Sequence, residues 1–316
     1  MKRKVYMIYI GYIAVMVVCS GILLSCNQET ILDSNCQASD IPVPVRIFSL
    51  GTDRVVSSRV PQELPTDKQV GFFMGASPGY TAANNHQGKY QNGSWSPNDQ
   101  LWLSSLTATL AVYYPYTAST ASTISMAPAL RTDASKDLCS AKFTADNKTT
   151  LDEITMDQRY SRLLVKVVKS EDYMSPGTWT LMALEGDDIY DKGTFDPINE
   201  TYTGIKGTFL TDIFSPNKKL GTDPTASDVA SADVLIIPNV SMTGPVTITL
   251  TVDERILKAE IPANNLSEGK FTPGKVQTIV LKVSPLGLKV NKVSTTDWAD
   301  VIGENVTVDV DNPPTP

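Results

Sequence analysis

Histidine is nearly absent from this chain: among its 316 residues there is one, His86. That count excludes every multi-histidine metal centre and admits a Ser-His-Asp triad only through His86. Cysteine is scarce too, at four, and no CxxC or Cys/His spacing occurs, which excludes a structural zinc site. Basic excess is missing. Lys plus Arg number 27 against 34 Asp plus Glu, a net charge of −7, and losing Lys2, Arg3 and Lys4 with a leader takes it to −10. A phosphate backbone is repelled by such a surface, so nucleic acid is not an expected partner. Also missing is any sustained 3.6-residue periodicity; residues 135–142 are the best short helix candidate. What is present is 41% hydrophobic and 19% charged residues with 20 Pro and 19 Gly, a globular composition leaning toward strands and turns. The length has room for about two domains.

Residues 1–25 read as an export signal: basic Lys2, Arg3 and Lys4, an apolar run over 5–18, then Leu23-Leu24-Ser25-Cys26. The last four residues resemble a bacterial lipobox, in which a small residue before the cysteine admits the signal peptidase and the thiol takes a diacylglyceryl group. Cys26 is therefore the expected lipidation site, with residues 26–40 as a lipid-proximal linker. The other reading is an uncleaved anchor, because residues 5–24 are long enough to span a bilayer of roughly 30 Å. Cys36 and Cys139 are left to pair in an oxidising envelope or to remain thiols.

Beyond the leader the apolar period is two, the signature of half-buried strands. Ile41, Val43, Val45 and Ile47 share one face, and Pro42 and Pro44 between them place that strand at an edge or in a loose pairing. Leu106, Ala108, Leu110, Val112 and Tyr114 form a second face, ended by Pro115. Leu163, Val165 and Val167 open a new series, followed by 178–184, 234–237, the hairpin 246–261 through Asp253-Glu254-Arg255, and Ile279, Leu281 and Val283. The fold class is all-β, with loops over 117–125 and 215–231 and a break near 156–159. Two β-sandwiches result, at 41–157 and 158–303, with residues 304–316 as a C-terminal tail.

No residue set selects a catalytic, cofactor or metal site. Glu185, Asp187, Asp188 and Asp191 lack EF-hand spacing and read as a solvated turn rather than a calcium site. Trp95, Trp102, Tyr113, Tyr114 and Tyr116 offer either a sugar-stacking platform or core packing; alternation puts Tyr114 on the core face and Tyr113 on the other.

A series of motifs in order along the chain resembles the fimbrillin-like proteins of Bacteroidales, the type V pilin superfamily. They are Leu23-Leu24-Ser25-Cys26, Gln69-Val70-Gly71-Phe72-Phe73-Met74, Val112-Tyr113-Tyr114-Pro115-Tyr116, RYSRLLVKVV over 159–168, Val234-Leu235-Ile236-Ile237-Pro238, Gly269-Lys270-Phe271 and Thr296-Asp297-Trp298. The resemblance implies two transthyretin-like Greek-key β-sandwiches, no enzymatic activity and no cofactor. It further implies an outer-membrane lipoprotein at the cell surface, trimmed after an arginine by an arginine-specific protease and polymerised with other fimbrial subunits by strand exchange. The candidate cleavage sites are Arg59, Arg54 and Arg46. Val306, Val308 and Val310 alternate as a donor strand should, although a terminal run of this kind also docks locally as a last strand. A surface glycan-binding lipoprotein is the alternative function.

Overall fold

The computed structural model describes residues 41–52, 62–132, 137–206, 209–211, 217–239, 241–298 and 306–308. Strands dominate, and among the described residues helix is confined to two 3-10 turns, Ala263–Asn265 and Ser267–Gly269. In chain order the first strands are β1 (Val43–Pro44), β2 (Ile47–Thr52), β3 (Gln62–Glu63), β4 (Gln69–Met74), β5 (Ala83–Gln91), β6 (Ser94–Pro97), β7 (Trp102–Leu103) and β8 (Ala108–Tyr114). After β9 (Ile124–Met126) and β10 (Ala129–Leu130) come β11 (Cys139–Ala145) and β12 (Leu151–Gln158).

One sheet runs β12-β11-β8-β4-β5-β6-β2-β3, and β2 pairs in addition with β12. Seven of its strands therefore close into a ring. Inside lie Val45, Ile47, Leu50, Val70, Phe72, Trp95, Leu110, Val112, Tyr114 and Met156. Strand β8 is buried on both faces: its inward residues enter that core, and Ala111 and Tyr113 enter a second cluster outside the ring. The sequence expectation that Leu106 begins this strand fails, since Leu106 is exposed and the strand starts at Ala108. The short helix expected over 135–142 is also corrected. Cys139 to Ala145 pair residue for residue with β8, and seven ladder pairs outweigh a weak local helix preference.

The remaining strands are β13 (Ser161–Lys169), β14 (Thr178–Glu185), β15 (Tyr190–Asp196), β16 (Thr201–Lys206), β17 (Phe209–Thr211), β18 (Lys218–Lys219), β19 (Ala230–Ile236), β20 (Val246–Val252), β21 (Arg255–Ile261), β22 (Lys275–Ser284), β23 (Gly287–Asp297) and β24 (Val306–Val308). A six-stranded sheet, β10-β19-β13-β22-β23-β24, faces a smaller one of β17-β14-β20-β21 with β18 on β14. Consecutive strands β13 and β14 belong to opposite sheets, the crossover habit of a Greek-key sandwich. Strand β20 shows why: Val246, Ile248, Leu250 and Val252 are fully buried while the threonines between them face out. Its turn to β21 places Asp253 and Glu254 at φ of 47° and 64°, the pair of left-handed residues that a two-residue hairpin requires. Asp253 tolerates that backbone because its carboxylate accepts the N–H groups of Gly177 and Thr178 at 2.8 Å and the Tyr173 hydroxyl at 3.0 Å.

A third sheet, β16-β15-β9, lies against the ring. Ile124, Met126 and Phe195 from it pack with Phe73, Ala111 and Tyr113 of the ring and with Leu235, Ile237, Val276 and Trp298 of the sandwich. Beside that cluster Arg131 forks onto the fully buried Asp137, with Nε and Nη2 contacts of 3.1 and 2.9 Å, and Arg162 forks onto Asp233 at 2.7 and 2.6 Å. Both guanidinium groups lie over the Trp298 ring, 5.5 and 5.8 Å from its centre.

Candidate functional site

The first strand is the feature with functional consequence, because of how it is held. Val43 and Pro44 pair with Leu103 and Trp102, and the Val45 N–H donates to the Leu101 carbonyl at 2.8 Å. From Ile47 onward the strand has neighbours on both edges. Ile47 lies opposite Trp95 of β6, and Ile47 to Thr52 run parallel to Leu151 to Met156 of β12. Gly51 and Thr52 also meet β3, where the Leu64 N–H donates to the Leu50 carbonyl at 2.7 Å. The edge or loose placement expected from Pro42 and Pro44 therefore describes only the entrance of the strand. Both prolines precede the two-sided part, where a missing donor costs nothing.

Val45, Ile47 and Leu50 are buried in the ring core, while Arg46 and Phe48 point outward. At roughly 1.5–3 kcal/mol each, the three apolar side chains contribute about 5–9 kcal/mol to holding the strand. Whole domains are stable by only about 5–15 kcal/mol. Emptying this groove without refilling it would therefore use up most of the stability of the ring, and unpaired groups on β6 and β12 would add to the cost.

Connectivity ranks the three arginines. Arg46 lies in the step between β1 and β2, flanked by buried Val45 and Ile47, at a crevice of about 100 Å³ also lined by Gln91 and Asn98. A cut after it would leave Ile47 to Thr52 attached to the rest of the chain. Arg54 and Arg59 fall in residues 53–61, outside the described residues, on the connection between β2 and β3. A cut after either would separate the whole first strand. Cys26 and Cys36 also lie outside the described residues, and Cys139 is buried with its thiol toward the Asp137 carbonyl.

At the other terminus, Val306 and Val308 belong to β24, which pairs with Val293 to Thr295 along the outer edge of β23; Val310 lies outside the described residues. The contact is local and short, three cross-strand pairs.

The aromatic residues do not assemble a platform. Trp95, Tyr113 and Tyr114 are buried, and the Tyr113 hydroxyl donates to Asn85 Oδ1 at 2.7 Å; Trp102 alone of the two candidate tryptophans is half exposed. Alternation assigned Tyr113 and Tyr114 to opposite faces correctly, and the second face proves to be a core as well. The solvated acidic turn holds for Asp187 and Asp191, which are exposed, and is corrected at one residue. Asp188 is not solvated: it is buried, accepting Lys206 Nζ at 2.8 Å and the Thr243 N–H and hydroxyl at 2.6 and 2.8 Å. The Lys206 ammonium and the Thr243 donors hold its carboxyl down at about 2. Among the described residues no three His, Cys, Asp or Glu side chains gather as metal ligands.

A family model for fimbrillin-like proteins matches residues 58–298. The chain belongs to the fimbrillin-like family. Its fold is similar to that of a candidate cell adhesion protein of Bacteroides uniformis, with a TM-score of 0.55 at 14% identity over 81% of this chain and 99% of that one. A candidate cell adhesion protein of Bacteroides ovatus is similar at a TM-score of 0.53 and 15% identity, over 84% and 100% of the two chains. No curated protein matches the sequence. For this fimbrillin-like chain the arrangement that sequence reasoning missed is the parallel pairing of β2 with β12, residues separated by about a hundred positions, for which no local signal exists.

Proposed function

We propose that this protein is a structural, non-enzymatic subunit of a cell-surface fimbria that supports adhesion. It is exported as an outer-membrane lipoprotein on Cys26, trimmed by an arginine-specific protease after Arg54 or Arg59, and polymerised with other fimbrial subunits by strand exchange. The observation that carries this reading is the first strand: buried through Val45, Ile47 and Leu50, bonded on two edges, and joined to the rest of the chain by the segment that contains both arginines. Removing it leaves a groove of defined shape whose vacancy is expensive, so a replacement strand binds strongly. The residues offered to a neighbour are Val306, Val308 and Val310. Support for their release is that β24 is held by three cross-strand pairs at a sheet edge. The division at 41–157 and 158–303 suits the reading for most strands, the ring ending with β12, although β10 crosses it to pair with β19 and β9 crosses it to pair with β15.

The test is to trim the purified chain within residues 53–61 and to image the product by negative-stain microscopy. Filaments are expected from trimmed protein, and none from untrimmed protein or from trimmed protein lacking residues 304–316. Filaments whose subunits still begin at Cys26 would refute trimming, and filaments of normal length from the deletion would assign the donor to another strand. The alternative of a glycan-binding lipoprotein drew on Trp95 and Trp102, of which Trp95 is buried and Trp102 is half exposed, so the pair forms no stacking platform.

A further inference from the structure

Regular alternation breaks once in the first strand, inside the part that fills the ring. Val45 and Ile47 enter the core two positions apart, Phe48 is exposed and Ser49 half-buried, and the next apolar residue in the core is Leu50, three positions on. Strand β12 makes the same step beside it. Leu151 faces the core opposite Ile47, Asp152 and Glu153 are exposed, and Ile154 returns to the core opposite Leu50. The other flank changes at this level too: Ile47 lies against Trp95 of β6, whereas the Leu50 carbonyl accepts the Leu64 N–H and Gly51 pairs with Glu63 of β3. Two of these three features belong to the walls of the groove. The walls stay when the first strand leaves, because β3, β6 and β12 all follow residues 53–61 in the chain.

We infer that the groove selects its strand by spacing: it takes an extended strand of another fimbrial subunit whose apolar residues stand two and then three positions apart, in the order set by Val45, Ile47 and Leu50. The inference rests on the fimbrial reading and deepens it. The first strand is the template for this occupant, since it is the strand that the structure places in the groove. A strictly alternating strand meets the positions of Val45 and Ile47 and then puts its third apolar residue at the level of Ser49, so that a polar residue takes the place of Leu50. Val306, Val308 and Val310 share the spacing of Val43, Val45 and Ile47, all of them before the step. Unequal steps also give the groove a direction. A strand lying antiparallel to β12 presents its steps in reverse order and leaves a pocket unmatched.

The test uses the full chain with Ile47→Ala and Leu50→Ala, cut within residues 53–61 so that its weakened first strand leaves the groove. Fluorescence anisotropy then follows a labelled peptide of residues 43–52 and a second peptide with Ser49→Leu and Leu50→Ser, identical in composition but strictly alternating. The second is expected to bind about thirtyfold more weakly, the worth of one buried leucine. Ile154→Ala in the protein is expected to narrow that difference, because it cuts back the wall opposite Leu50. The same two peptides competing for the groove of the cut wild-type chain give a second measurement that needs no core substitution. Equal affinities of the two peptides, or a difference that Ile154→Ala leaves unchanged, would overturn the inference. Failure of the unaltered peptide to bind in either measurement would overturn the fimbrial reading with it. Selective binding by a protein whose trimmed wild-type form never assembles would overturn the fimbrial reading alone.

Discussion

Consider a chain in which a site for a sequence-specific protease is built into residues 53–61 and then cut, so that the first strand stays in place without a covalent tie. Its lifetime in the groove then reports directly on the groove. Ile47 and Leu50 are fully buried in the ring core, whereas Phe48 between them is half exposed on the opposite face. Replacing either buried residue by Ala costs at least about 2 kcal/mol, the low end for a large-to-small change in a packed core. The two together should weaken the strand by about 4 kcal/mol, nearly three powers of ten in its dissociation constant. Phe48→Ala should change it by no more than about 0.5 kcal/mol, as an outward substitution on a retained strand. The assay is size-exclusion chromatography with mass spectrometry of the cut protein over time, counting the fraction that still carries the peptide. A double variant that keeps its peptide as long as the wild type would refute the burial argument. Loss in Phe48→Ala as fast as in the double variant would refute the assignment of faces.

Three further outcomes are expected. Asp188, with its carboxyl lowered to about 2 from an ordinary 3.8, contributes stability that is complete above about pH 4 and is lost as the pH falls toward 2, about 2 kcal/mol in all; Lys206→Met should flatten that loss in urea titrations at pH 7 and 3. Asp137→Ala removes the forked partner of Arg131 and opens a buried void, leaving only the looser contact to Asp233 at 3.7 Å, and should cost about 3 kcal/mol by thermal or urea unfolding, with Asp137→Asn costing less because it keeps an acceptor. Gly71→Ala would set a Cβ 1.9 Å from the Tyr113 ring, which its hydrogen bonds to Asn85 and Thr117 keep from moving away; a loss of about 3 kcal/mol is expected, part of it recovered by adding Tyr113→Leu.

Local alternation made β13, β20 and β22 legible, because each lines the sandwich core with alternate residues, even though Leu164 and Val276 on the other faces meet the second cluster. Strand β5 was not legible. Its sequence, ANNHQGKYQ, has almost no apolar residue, and Asn85 sits in it at a φ of 53°. That residue is there to bind the carbonyls of Thr117 and Ser119 at 2.9 Å, a requirement created by a loop more than thirty residues away. Asp188 was misread for a related reason: a Gly-rich acidic turn looks solvated until Lys206 at the end of β16 and Thr243 in the bend before β20 arrive from elsewhere in the chain. At the candidate site the buried residues Val45 and Ile47 were readable as one face. The closure of the ring by β2 was not, since parallel pairing across a hundred residues leaves no mark on either partner alone.

The same closure has a mechanical side. A peptide lying in the β2 groove is bonded along its length, to β12 on one edge and to β6 and β3 at points on the other, with the ladders parallel to its own axis. Tension applied along that axis, as it would be between two joined subunits, loads those bonds in shear and all at once. Peeling from an end would break them one at a time at far lower force, and the ring geometry gives a pulled strand no free edge from which to peel.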